Sequence, residues 1–427
     1  MRQLPRLIRA LCCIAVSLIG LVIDGSGQSQ TPDTNQKLSL EDRIVLASGI
    51  YSAIPMYFGH MAGVPNLDLD REYRAYVNLV LKSDSRRDFD MATMEFIAKL
   101  GNGHTWFGDW WLRNTLGQSL GFYAHPIDGE WTVTETQVPD LRVGSKVTAI
   151  DGEPIEAFYA RNAKYLFASD EHWRRRQLFE SPYLFPLRFK LQLSDRRDIS
   201  VVRTAPFAFH GTEFKESRLT MNGDIPVVVV PSFANPAIES SAIEHIKNVR
   251  KAQALVLDLR GNHGGSSAIM LLQALMTRPY HSWAESTPAG VALFQSWGVI
   301  GSRPALAWGS TLQFPRDPIY SGPLFILVDD GCYSACEDFV QPFRDNGRAK
   351  IIGERTAGSS GQAYIKDFGN GMALGLSVRR ETFPDGRPFE GMGIIPDIEV
   401  HLSASDILAG RDPVMAQALA LAKAAPE

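Results

Sequence analysis

Two stretches of this sequence combine residue types that could perform acyl-transfer chemistry. The first is Asp329-Asp330-Gly331-Cys332-Tyr333-Ser334-Ala335-Cys336-Glu337-Asp338-Phe339. The apolar run before it reads as a buried strand, the Asp-Gly pair as a tight turn, and Ser334 stands where the next helix begins. At a helix start the backbone N–H groups lack partners and the helix dipole is positive, so an alkoxide-like serine and an oxyanion beside it are both stabilised. The same position also suits a plain N-cap, a role serine commonly fills. The second stretch, Val256-Leu257-Asp258-Leu259-Arg260-Gly261-Asn262-His263-Gly264-Gly265, ends a strand in a glycine-rich turn that can present N–H groups to a ligand. It holds neither G-x-G-x-x-G nor G-x-x-x-x-G-K-[ST], so phosphate binding is a poor reading. His-Glu-x-x-His is absent and the histidines show no metal-like spacing, so no metal and no cofactor is implied. A G-x-S-x-G elbow is missing around Ser334, which disfavours an α/β-hydrolase.

These residues need a scaffold, and the surrounding pattern supplies one. Between about 213 and 405, apolar β-rich runs occur at Ile225 to Val230, Ala254 to Leu259, Leu324 to Val328 and Lys350 to Ile352. Helix-like stretches near 237–249, 266–276 and 335–346 separate them, which predicts an α/β layer with a largely parallel sheet covered by helices. Upstream, Ser39 with Asp42 reads as a capping box. It opens a helix with Ile44, Val45, Ile50, Tyr51 and Ile54 on one face, which Pro55 bends or ends. Amphipathic stretches at Asp70 to Leu81 and Asp88 to Leu100 follow, the second stopping at Gly101-Asn102-Gly103, directly before His104. From about 117 to 207 short strands and turn signals dominate, with a hairpin at Asp128-Gly129 and alternating strands Phe189 to Leu193 and Ile199 to Val202. Inside that region 165–185, with Trp173 and Arg174-Arg175-Arg176, reads as a helical insertion with a solvated charged face.

At 427 residues, 45% hydrophobic and 21% charged, the chain has room for two or three domains, each with a core of its own. A net charge of −4 without a long Lys/Arg block argues against a nucleic-acid partner. Arg2, Arg6 and Arg9 precede the apolar run Ala10 to Ile23, which opens into Gly25-Ser26-Gly27-Gln28. This is the pattern of a secretory signal peptide over 1–27, and the run is short for a membrane span; an uncleaved anchor is the competing reading. Lipid anchoring at Cys12 or Cys13 is disfavoured because Leu11 and Cys12, not small residues, precede them. Export to the periplasm or the medium is expected, with no stable membrane span after cleavage. Only Cys332 and Cys336 then remain, and i,i+4 spacing at a helix start favours buried thiols over a bridge.

Taken in order, Asp258 to Gly265, Ser334-Ala335-Cys336-Glu337, Ile352-Gly353-Glu354-Arg355-Thr356-Ala357-Gly358 and Gly393-Ile394-Ile395-Pro396-Asp397-Ile398-Glu399-Val400 resemble the S41 peptidases. That is the family of C-terminal processing (tail-specific) proteases and the tricorn core protease. The Gly144 turn, the apolar strand after it and the Asp151-Gly152 turn resemble a PDZ domain, and Ser119 to Phe122 its carboxylate-binding loop. The resemblance implies an α/β fold: a crotonase/ClpP-like layered core over 213–427, an N-terminal helical region over 37–115 carrying His104, and a PDZ-like β-rich domain over 117–207. It also implies a serine peptidase without cofactor, acting on a peptide or protein, with Leu120, Gly121 and Phe122 offered to substrate, a free C-terminus among the candidates.

Family resemblance assigns the site. Processing proteases of this family pair the serine with a downstream lysine in a G-E-x-T-x-G-K-G context; here that position is Ser359, and Lys366 is poorly spaced to replace it. The tricorn-like branch uses a histidine from a Gly-His-Thr-like motif and a distant glutamate, which match Gly103-His104-Thr105 and Phe389-Glu390-Gly391. Ser334 is then the nucleophile, His104 the general base and later acid, and Glu390 the support of the imidazolium. Ala335 N–H with Gly264 or Gly265 N–H forms the oxyanion hole. In the tricorn pattern a serine before the histidine links it to the glutamate; here Gly103 stands there, so Thr105, water or a direct contact must serve. His263 reads as lining or solvated rather than as the base. The missing lysine keeps open a non-catalytic protein that binds peptides or apolar ligands on the same fold, and a crotonase-like acyl-CoA enzyme is a further, less fitting reading.

Overall fold

The computed structural model describes residues 36–203, 214–289 and 305–425. The signal peptide expected at 1–27, the linker after it up to residue 35, and the end of the β-rich stretch beyond residue 203 lie outside the described residues. The fold is mixed α/β. Its centre is a six-stranded sheet in the order Ile398–Glu399, Lys350–Gly353, Leu324–Val328, Leu255–Asp258, Ile225–Val229, Arg218–Asn222. The first five strands run parallel and the last is an antiparallel edge strand. Leu255–Asp258 and Leu324–Val328 are buried at every position, as a strand covered on both faces must be. Helices Pro236–Asn248, Ile269–Leu275 and Ala335–Asn346 cover one face, and Pro413–Lys423 covers the other with Val414, Ala418 and Ala422.

The N-terminal helices are Leu40–Tyr57, Leu69–Lys82 and Arg86–Ala98. Ser39 caps the first through Asp42 N–H, and the helix continues two residues past Pro55. Ala47, Ile50, Ala53 and Ile54 form its buried face, while Ile44 and Val45 are exposed at 47% and 64%, so the inward stripe starts one turn later than the apolar pattern suggested. The third helix ends before Gly101, whose φ of +57° turns the chain. Strand Trp106–Asp109 then pairs antiparallel with Met372–Ser377, Trp106 opposite Gly375 and Asp109 opposite Met372. This pairing carries His104 from the first quarter of the chain to the C-terminal sheet.

The β-rich region is an antiparallel sheet in the order Phe122–Ile127, Glu130–Thr136, Lys146–Ile150, Arg188–Leu193, Asp198–Val202. Its two tight turns have positive φ at both central residues, Asp128 and Gly129 in one, Asp151 and Gly152 in the other. The insertion differs from its sequence reading. It holds a short helix, Glu171–Arg176, whose Trp173 is 5% exposed, and its basic run is not a solvated face. Arg176 pairs with Asp330 beside the Ser334 turn, Arg175 pairs with Glu156 and lies over the Trp131 and Tyr159 rings, and Asp170 pairs with Arg355. Partners remote in sequence turned an apparent surface run into a docking face.

Candidate active site

Ser334 occupies the turn between strand Leu324–Val328 and helix Ala335–Asn346 at φ +58° and ψ −126°. A non-glycine residue at positive φ stores about 1–3 kcal/mol of strain. Here it projects the hydroxyl away from the helix, and no side-chain capping bond forms. Gly264, at φ +83°, lies directly beneath: a Cβ there would come within 2.6 Å of Tyr333 O and 2.7 Å of Ala335 N. Only glycine permits that approach. Gly264 N–H donates to Asn262 Oδ1 at 2.9 Å, so that N–H is already engaged within the turn. Cys332 and Cys336 are free, fully buried thiols, with Cys332 Sγ donating to Leu259 O at 3.1 Å.

His104 Nε2 lies 2.8 Å from Ser334 Oγ, and His104 Nδ1 lies 3.0 Å from Ser359 Oγ. Ser359 Oγ donates to Glu390 Oε1 at 2.7 Å. The structure thus brings Ser334, His104 and Glu390 into one chain of hydrogen bonds whose missing link is Ser359. Glu390 Oε1 also accepts from Asn102 Nδ2 at 2.6 Å and from Ser169 Oγ, and Ser169 Oγ accepts from Gly103 N–H at 2.9 Å. Thr105 does not serve as the link. Its Oγ1 donates to Asn102 Oδ1 at 2.9 Å and accepts from Ser377 N–H at 3.1 Å, bracing the turn that presents His104. Lys366 Nζ donates to Gly49 O on the first helix and takes no part. His263 is exposed beside Trp173.

Glu337, fully buried on the nucleophile helix, accepts from Gly358 N–H at 2.8 Å, Ser359 N–H at 3.0 Å and Thr356 Oγ1. Ser334 N–H donates to Ser359 O at 3.1 Å. Nucleophile and relay serine are therefore fixed to each other. Burial raises the Glu337 carboxyl to about 8 despite those donors. Burial also lowers His104 to about 3, with the charges of His60 and Arg379 acting in the same direction, so the imidazole is a neutral base through the physiological range. Glu390 moves the other way, raised to about 7 by burial against its hydroxyl donors. Among the described residues no group of three or more His, Cys, Asp or Glu is placed to hold a metal. What the arrangement can do is nucleophilic acyl transfer.

Residues 224–400 match the model of peptidase family S41. This stretch belongs to peptidase family S41. Over 193 residues, 45% of this chain and 34% of the relative, it is 26% identical to the chloroplastic carboxyl-terminal-processing peptidase 3 of Arabidopsis thaliana. The match to the carboxy-terminal processing protease CtpA of Bacillus subtilis is 24% identical over 210 residues, 48% of this chain and 40% of the relative. The chain thus spans well under half the length of these curated relatives. Mature CPAF complexed with lactacystin has the same fold, with a TM-score of 0.69 at 15% identity over 90% of this chain and 98% of that one.

Against the S41 pattern, the lysine position holds the relay serine, and the position of a serine before the histidine holds Gly103. The two departures are one. A Cβ on Gly103 would meet Ser359 Oγ at 3.0 Å and Ser359 Cβ at 3.2 Å, so the linking hydroxyl reaches the same space from the opposite side. Sequence reasoning also missed Ser169, Asn102 and Tyr333; the only signal was their closeness to Trp173, His104 and Ser334 in the chain. Leu120 and Phe122 are buried in the sheet core at 2% exposure each, Gly121 N–H donates to Ser119 Oγ at 2.9 Å, and Gly121 O accepts from Gln137 N–H. Leu120, Gly121 and Phe122 stand at the start of an edge strand, outside the hydrogen-bond chain of Ser334.

Proposed function

We propose that this protein is an exported serine endopeptidase that hydrolyses peptide bonds in peptides or unfolded C-terminal tails through an acyl-enzyme on Ser334. The observation that carries this is the 2.8 Å contact between His104 Nε2 and Ser334 Oγ, within reach of a direct proton transfer. Ser334 Oγ attacks the scissile carbonyl while its proton passes to His104 Nε2. The oxyanion is held by Ala335 and Gly265 N–H, and the imidazolium by Glu390 through Ser359. Collapse breaks the C–N bond, and His104 gives the proton to the leaving amine. Water then attacks the acyl ester, losing a proton to His104, and Ser334 departs with that proton as the free acid forms.

The reading divides the chain into a leader over 1–27, a helical region over 37–115, a PDZ-like module over 117–207 and the protease core over 213–427. The names of the curated relatives support action at carboxyl termini, and the side of strand Phe122–Ile127 that has no paired strand among the described residues suits a peptide adding as a further strand. A fluorophosphonate probe is expected to label Ser334, with the label lost in Ser334→Ala. Labelling elsewhere, or none in the unaltered chain, would overturn the assignment.

A further inference from the structure

Trp173, Tyr333 and His104 form one continuous stack. The rings of Trp173 and Tyr333 lie 5.2 Å apart and 9° from parallel, and those of Tyr333 and His104 4.5 Å apart and 6° from parallel. Tyr333 Oη is also 2.9 Å from His104 Nδ1. Tyr333 immediately precedes the nucleophile, and Trp173 comes from the remote helix Glu171–Arg176, where it is buried against Tyr333, Ala168 and Ala357.

A relay needs both imidazole nitrogens held in one plane between Ser334 and Ser359. A ring packed flat on the imidazole blocks the rotation that would swing Nε2 away from Ser334 Oγ. The reaction also turns a neutral imidazole into a cation, and an electron-rich aromatic face attracts a cation. Other charges act on the same imidazole: Arg379 and His60 disfavour the cation, and Glu390 favours it through Ser359. Beyond the stack, Arg176 lies 5.7 Å from the Trp173 ring but is paired with Asp330, and His263 flanks the indole.

We propose that Tyr333 and Trp173 are positioning residues of the reaction: their stacked rings keep the imidazole in line with Ser334 and Ser359 and stabilise the proton it takes up. The inference rests on Ser334 and His104 being nucleophile and base.

The test uses the full chain after phosphonylation, when Ser334 carries a tetrahedral adduct and the protonated imidazole gives a low-field ring N–H resonance in proton NMR. Trp173→Leu and Tyr333→Leu are expected to slow phosphonylation about tenfold. They should also lose the resonance roughly one pH unit lower than the unaltered chain, because the cation is less stabilised. Tyr333→Phe, which keeps the ring and loses only the hydroxyl beside His104 Nδ1, should hold the resonance to a higher pH than Tyr333→Leu. Trp173→Phe should shift it part of the way, and it decides the matter where a leucine variant fails to fold. An unmoved resonance and rate in a folded leucine variant, or in Trp173→Phe where only that folds, overturns the inference. No labelling of the unaltered chain at Ser334 overturns the underlying reading as well.

Discussion

Ser334 is held by backbone, whereas His104 is held by side chains. Around the serine, a strained turn and a glycine that tolerates no Cβ define the geometry, and all of it hangs on the parallel sheet. Around the histidine, Asn102, Ser169, Tyr333, Ser359 and Glu390 meet from five separate parts of the chain. The first arrangement depends on shape and is tied to local sequence. The second depends on which hydroxyl or carboxylate reaches a given point, so one side chain can stand in for another from a different direction, as Ser359 does opposite Gly103.

This contrast can be broken or sharpened by substitution. Ser334→Ala should lower kcat by roughly a millionfold, measured on any cleaved peptide, because it removes the only attacking atom. Ser359→Ala should cost ~10³-fold in kcat with little change in KM, since it disconnects Glu390 from an imidazole left in place. A loss under tenfold would show that the side-chain half does not work as a relay. Gly264→Ala should cost about 10²-fold in kcat, because the new Cβ displaces Ala335 N–H from the oxyanion position.

The pH profile separates the two acids. His104, pushed down to about 3, stays neutral through the working range, so the acidic limb is expected from a buried carboxyl: Glu390, raised to about 7, reaches the imidazole through Ser359, and Glu337, raised to about 8, is where a limb that survives loss of Glu390 would lie. Glu390 supports the imidazolium only when ionised, so activity is full above that value and falls about tenfold per pH unit below it. Glu390→Gln should abolish this limb as well as lowering the plateau; a limb that survives would assign the titration elsewhere. The smallest effect is far from both halves. Ser39→Ala removes the cap of the first helix and should cost ~1 kcal/mol in denaturant unfolding while leaving Ser334 labelling intact.

Much of the backbone half was legible in the sequence. Buried apolar runs at Leu255–Asp258 and Leu324–Val328, a helix starting after Ser334 and a glycine-rich turn are local patterns. The side-chain half was legible only in part. His104 and Glu390 could be matched to motifs, but Ser359 first looked like a vacancy, because its meaning lies in its fit against Gly103, a contact that no spacing along the chain expresses. The basic run Arg174-Arg175-Arg176 was misread for a similar reason. A charged side chain is solvated or paired according to what faces it, and Asp330 is brought there only by tertiary structure.

Glu337 has a mechanical consequence. By clamping the Thr356–Ser359 loop to the nucleophile helix, it makes attacker and relay parts of one rigid block. His104 arrives on a different piece, steered by the strand Trp106–Asp109. The bond from His104 to Ser334 is where these two supports meet, so its length records how well they are matched.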